Sequence, residues 1–344
     1  MDLLKLVQKI PNHPPFFKEE ILDKYGEKAI ISRTIFPTPA FASAFLDSRG
    51  RRLPQVIAHR GYKAKCPENS LSAFEAAVDA GAHAVETDLH LSKDGVVVLS
   101  HDPDLKRCFA IDKKIRDCDW DFIKTLRTTR VPNEPLPCLQ DLLELFKKPR
   151  WKGVWLMLDI KIDDDPEELM HRLAETFTRV DPGHDGHWKD RVMLGYWTAR
   201  FIPLCDKYLP GFPITNIGFS PTYCRQFLAV PNAGFNFFQP ALISPSGRYF
   251  IRAVKAHRRQ IYAWTVNDEK NMDWCIRRGV DGIVTDDVAK YFEICDKFNE
   301  HTRYGWPMKM LLQFMYFNVW VWVFGIIFSR RYGGRSRPHK CRLA

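Results

Sequence analysis

The sequence of 344 residues has no CxxC pair, no cysteine spacing of the metal-ligand kind and no N-x-S/T sequon. Its nine cysteines are scattered and odd in number, which argues against a disulfide framework and for a reducing, cytosol-facing location. The N-terminus, MDLLKLVQKIPNHPPFF, holds no apolar run of secretory length. No low-complexity tract or excess of Gly and Pro points to a long disordered region. Acid is missing altogether from residues 301–344, which carry eight Lys or Arg. The first 300 residues hold 43 basic and 41 acidic side chains, so eight of the ten net positive charges belong to the tail. That balance excludes nucleic acid as the natural partner of the main domain, and a basic tail suits an anionic membrane surface.

What is present is an apolar content of 45%, enough for the core of one large α/β domain. Residues 1–54 are punctuated by Pro11, Pro14, Pro15, Pro37 and Pro39 and read as an N-terminal arm on the domain surface, with a short helix at 17–28. From Val56 the chain alternates. Strand-like runs are predicted at 56–59, 84–91, 96–100, 153–160, 192–196, 214–219, 235–239, 261–266 and 282–285. Helices are predicted at 70–80, 139–146, from Asp165-Pro166 onward, and near 199–208, 221–228, 247–258, 268–278 and 287–298. Residues 102–135 break the rhythm with charge of both signs and read as a small insertion after the second strand unit. Strand and helix alternating over the span 55–300 predict a parallel sheet, and about eight units close naturally into a (β/α)8 TIM barrel. A doubly wound open sheet is the alternative, weakened because no glycine-rich fingerprint follows the first strand.

Met310–Phe328 is a run of 19 residues without formal charge. As a helix it would extend roughly 28 Å, close to a bilayer core. Arg330 and Arg331 follow it, and Arg303 and Lys309 precede it. The expectation is a C-terminal hydrophobic membrane segment in 301–344, either a span or a hairpin, with a buried core helix as the other reading.

The chemistry gathers where strands end. Glu86 and Asp88 are two apart on one strand, so both point to one face, and two such carboxylates call for a counter-charge. A hard divalent cation with oxygen ligands supplies it, although a lone ExD is more often a polar strand end. His59 and His101 end neighbouring runs and suit a shared task. One removes a proton from a nucleophile while the other returns one to a leaving alkoxide. Arg60 can grip a phosphate with two hydrogen bonds. In MLDIK, Asp159 is placed to complete a metal's oxygen shell and Lys161 to neutralise charge on phosphoryl oxygens, unless the two simply form an ion pair. Trp264 is expected to line the pocket. Asn267 is expected as a helix cap or polar contact, and Asp286 as the cap of the last helix.

AHRGYKAKCPENSLSAF, VETDLHLSKDGVVVLSHDPDL, PLPCLQDLLELF, LDIK, AWTVND and GVDGIVTD follow one another in an order that resembles the glycerophosphodiester phosphodiesterase family, over about residues 55–296. The resemblance implies a TIM barrel that hydrolyses a phosphodiester with Mg2+ or Ca2+. It assigns the acid/base pair to His59 and His101, the phosphate to Arg60, the metal to Glu86 and Asp88, and transition-state support to Lys161. It places Glu68 and Asn69 near the site. The family usually has Glu where Asp159 stands, and the shorter side chain reaches a metal either directly or through water. With its apolar tail the chain resembles the fungal members that act as phosphatidylglycerol-specific phospholipases C. The expected function is thus phospholipase C-type cleavage of a glycerophospholipid by a membrane-attached enzyme, at the endoplasmic reticulum, lipid droplet or mitochondrial outer surface. Hydrolysis of soluble, deacylated glycerophosphodiesters is the alternative, and an inactive membrane-tethered binding module the second.

Overall fold

A computed structural model describes residues 35–182 and 188–299, together with Val319. Eight parallel strands close on themselves in the order β3, β4, β6, β7, β8, β9, β10, β11 and back to β3. They are β3 (Gln55–His59), β4 (Ala84–Leu91), β6 (Trp155–Ile160), β7 (Val192–Tyr196), β8 (Ile214–Gly218), β9 (Gly234–Phe238), β10 (Ile261–Trp264) and β11 (Gly282–Thr285). Every residue of β4, β6, β7, β8, β9 and β11 is buried, as expected for strands covered on both faces. The structure is therefore a (β/α)8 barrel, as the alternation predicts.

The outer helices begin where the sequence offers a cap. Ser70, Asp165, Ser244, Asp268 and Asp287 each accept a backbone N–H from the first turn of the helix that follows. The cap of the last helix is thus Asp287 rather than Asp286, and Asp268 rather than Asn267 opens the helix before it. Both displaced residues turn up in the site described below.

The run at 96–100 does not join the ring. Its core, β5 (Val97–Leu99), pairs antiparallel with the far half of β4, Leu89 opposite Leu99 and Leu91 opposite Val97. The reason is length: a parallel crossover needs about a dozen residues or more, and only 92–96 separate the two strands. Asp94-Gly95 instead makes a tight turn, with Gly95 at φ +81°. His101 is therefore carried back over the barrel mouth by a hairpin, not by a barrel strand.

Residues 102–135 then fold around a small core of their own. Leu105, Ile115, Cys118, Ile123 and Leu126 pack with Val98 and Leu136, which flank the insertion. At the opposite end of the barrel, part of the region before β3 closes the bottom. A short antiparallel pair, β1 (Phe45–Leu46) with β2 (Arg52–Leu53), leads into the ring. Ala42 packs with Ile57, Trp155, Met157, Met193 and Tyr262, and Phe41 lies against them. The Tyr262 hydroxyl donates to Ala42 O at 3.0 Å. The Gln55 amide donates to Phe41 O and Ser43 O, and its oxygen accepts the Trp155 indole N–H at 2.6 Å.

Among the described residues no helix is long and apolar enough to cross a membrane. The expectation of a membrane-attached, cytosol-facing protein therefore finds no support among the described residues. The segment 310–328 that carried it lies outside the described residues except for Val319, as does the helix expected at 17–28.

Candidate active site

Strand register brings the site together. His59, the last residue of β3, is level with Glu86 on β4, and Asp88 is level with Asp159 on β6. Paired residues on parallel strands face the same way, so these side chains meet at the C-terminal mouth. Oxygens of Glu86, Asp88 and Asp159 lie within 4.8 Å of one another, and all three residues are buried.

The loop after β3 is bent to reach them. Arg60 and Gly61 both sit in the left-handed region, at φ +57° and +77°. A side chain at Gly61 would come within 2.7 Å of the Ala73 backbone, so the third residue of HRG has to be glycine. Arg60 is a non-glycine residue held in a conformation that L-residues avoid, and what holds it is the site: its N–H donates to Glu86 Oε2 at 3.0 Å. Its guanidinium pairs with Asp88 at 3.1 Å and Glu68 at 2.9 Å. Asn69, also left-handed, donates to Asp88 Oδ2 at 3.2 Å and accepts from the Thr87 hydroxyl.

Lys161 reaches into the acidic group from the end of β6. Its ammonium lies 2.7 Å from Asp88 and 2.5 Å from Asp159. Asp159 also accepts the Trp197 indole N–H at 2.7 Å, and Trp197 meets Trp264 edge-on at 5.9 Å. Trp264 itself does not touch the carboxylates; its N–H is spent on Asn236 O. It forms the second layer of an apolar wall whose first layer is Trp197.

The two imidazoles are each pinned by a carboxylate. His59 Nδ1 meets Asp286 at 2.6 Å, and His101 Nδ1 meets Asp102 at 2.8 Å. Asp286 is held in turn by Asn267 at 2.8 Å. Burial, with Arg60 adding repulsion, pushes His59 down to about 4 and His101 down to about 3. Both rings are neutral at pH 7. A neutral ring that donates from Nδ1 keeps Nε2 as its bare, proton-accepting nitrogen.

The carboxylates are unevenly compensated. Burial works to raise Asp88, but Lys161 and Arg60 outweigh it and hold it well below the usual range. Burial, and then repulsion from Asp88 and Asp159, drives Glu86 well above the ordinary range. Burial also raises Asp159, against the pull of Lys161. Glu86 forms no ion pair with a side chain among the described residues. An oxygen-only cluster short of positive charge fits a hard divalent cation. Asp159, one methylene shorter than the usual Glu, still brings an oxygen within the same 4.8 Å.

The model of the Glycerophosphoryl diester phosphodiesterase family matches residues 59–290, two-thirds of the chain. The chain belongs to this family. A glycerophosphodiester phosphodiesterase of Bacillus altitudinis is 26% identical over 245 residues, covering 68% of this chain and 95% of that protein. A human lysophospholipase D is 24% identical, covering 72% and 88%. The crystal structure of a glycerophosphodiester phosphodiesterase from Parabacteroides distasonis superposes with a TM-score of 0.60 at 25% identity, covering 72% of this chain and 99% of that one. This family member is a phosphoric diester hydrolase, with an acidic cluster suited to a divalent metal.

Sequence reasoning placed His59, Arg60, Glu68, Asn69, Glu86, Asp88, His101, Asp159, Lys161 and Trp264 near one site, and the fold gathers all of them at one mouth. It missed the partners: Asp286 as the anchor of His59, Asp102 as that of His101, and Trp197 as a donor to Asp159. Asp286 is 227 residues from His59, and nothing local signals that pairing. Asp102 was signalled by adjacency alone.

Proposed function

We propose that this family member is a glycerophosphodiester phosphodiesterase that cleaves water-soluble glycerophosphodiesters into glycerol phosphate and a free alcohol. One observation carries the reading. Two neutral imidazoles, each fixed at Nδ1 by its own carboxylate, stand at the same mouth as a buried three-carboxylate cluster. A phosphodiester needs one group to take a proton from the nucleophile and one to give a proton to the leaving oxygen, and Nε2 of His59 and His101 are those groups. Binding an anionic phosphodiester favours the protonated form of either ring, which readies the second for the acid role. Arg60 and Lys161 hold the non-bridging phosphoryl oxygens and offset the charge that grows on them. Glu86, Asp88 and Asp159 would hold the divalent cation, Mg2+ or Ca2+, which when bound would supply Lewis-acid character at the phosphoryl group. Trp197 and Trp264 give the mouth an apolar side for the substrate's alcohol portion.

The relatives' names favour a soluble diester or a lysophospholipid over phosphatidylglycerol. The phospholipase C reading depended on 310–328 and gains nothing from them. The test is a panel of glycerophosphocholine, lysophosphatidylcholine and phosphatidylglycerol vesicles, with products identified by mass spectrometry. Glycerophosphocholine is expected to turn over fastest. Chelation should stop the reaction, and Mg2+ or Ca2+ should restore it. His59→Ala should lose about 10²- to 10⁴-fold in kcat. Faster release of diacylglycerol from phosphatidylglycerol would reverse the choice of substrate.

A further inference from the structure

The insertion contributes Arg107 to the machinery, and this side chain touches two carboxylates at once. Arg107 sits on the short helix Lys106–Phe109. Leu105, just before it, is fully buried in the insertion's own core, which fixes the helix over the mouth. Arg107 Nε donates to Asp102 Oδ2 at 2.5 Å. Its Nη1 and Nη2 donate to the two oxygens of Glu68 at 2.9 and 2.6 Å. The other side of each carboxylate leads inward. Asp102 Oδ1 holds His101 Nδ1, and Glu68 Oε1 holds Arg60 Nη1. A single guanidinium thus closes a continuous chain from Arg60 through Glu68, Arg107 and Asp102 to His101.

We propose that Arg107 is a positioning residue that sets the His101 ring and the Arg60 guanidinium relative to each other. The inference rests on the reading of those two residues as the acid/base and phosphate-holding groups. Its physical basis is the geometry of the fork. Three directed N–H groups in one plane meet three carboxylate oxygens on two different segments of chain. A lysine carries the charge but cannot make these three bonds together. With Arg107 removed, Asp102 and Glu68 face each other without the cation between them. Asp102 then loses the N–H that meets Oδ2, and Glu68 loses a donor on each oxygen, including the Oε1 that also accepts from Arg60, so the bracing of His101 and Arg60 slackens.

The test uses the full-length protein labelled with ¹⁵N-histidine, as parent, Arg107→Ala and Arg107→Lys. In the alanine variant the hydrogen-bonded Nδ1–H signal of His101 should shift and exchange faster, while that of His59, held by Asp286, stays in place. The value of kcat/KM on glycerophosphocholine should fall about 10- to 100-fold, the usual effect of losing a residue that orients a site group. Millimolar guanidinium should restore part of that loss. The lysine variant should recover less than the parent at equal charge. If the alanine variant does not fold, the lysine variant decides by the same two signals. An unchanged His101 signal, or an equal change at His59 and His101, overturns the proposal, as does activity within about twofold of the parent. Should the parent itself hydrolyse no diester, the functional reading falls separately, and the two histidine signals still decide the role of Arg107.

Discussion

Each imidazole in this mouth is held by an acidic residue, and the cost of keeping such rings dry and neutral appears when pH falls. His59 and His83 are pushed to about 4 and His101 to about 3, each first by burial. In the unfolded chain these rings titrate near 6.5. Between about pH 6.5 and 4 the unfolded state therefore binds protons that the folded state refuses, so stability falls as pH falls through that window. Glu68 and Asp286, held at about 2 against the effect of burial, extend the loss below the ordinary carboxylate range. Through these rings the melting temperature should drop between about pH 7 and 4, with Glu86 and Asp159, whose raised carboxyls take up protons in the folded protein, offsetting part of the drop. His83→Asn should make the drop shallower, since His83 lies away from the mouth and accepts the Val56 N–H. An equal drop in the parent and in His83→Asn would show His83 to be freely protonated in the folded protein. At this scale the sequence was readable in part. Residue type pointed to Glu86 with Asp88, two apart on one strand, and to His59 with the adjacent Arg60. The residues that anchor them could not be read, because a hydrogen bond such as that of His59 with Asp286 exists only once the first and last strands are neighbours.

Elements were more legible than partners, because local signals decide them. Leu139–Phe146 and β4 follow from periodicity, and Asp165-Pro166 announces the helix Pro166–Val180 through a cap followed by proline. Asp165 accepts the Glu168 N–H at 2.9 Å. Asp165→Ala should destabilise the protein by about 0.5–2 kcal/mol, seen as a lower urea midpoint. An unchanged midpoint would mean that packing alone sets the start of that helix. Two elements needed the third dimension. The run at 96–100 has the composition of a barrel strand, and only the short link to β4 sends it back as a hairpin. The short helix Gln239–Ile243 follows β9 directly and gives no periodic signal of its own within five residues. The insertion looked polar along the sequence because its few apolar residues, among them Leu105, Ile115, Ile123 and Leu126, are far apart until they meet.

At the scale of the whole molecule, a closed ring of eight strands puts the ends of β3, β4 and β6 side by side, and that closure turns scattered residues into one site. Ala42, Phe41 and Gln55 seal the far end of the barrel, so the described fold opens its chemistry at one end. The proposed chemistry depends on Glu86, Asp88 and Asp159 holding one divalent cation beside two neutral histidines. An anomalous difference map from crystals of the protein soaked in Mn2+ checks that placement. One strong peak bounded by the carboxylates of Glu86, Asp88 and Asp159 is expected, absent in Glu86→Gln. No peak there at a Mn2+ concentration that supports turnover, or a peak elsewhere that survives that substitution, would contradict it.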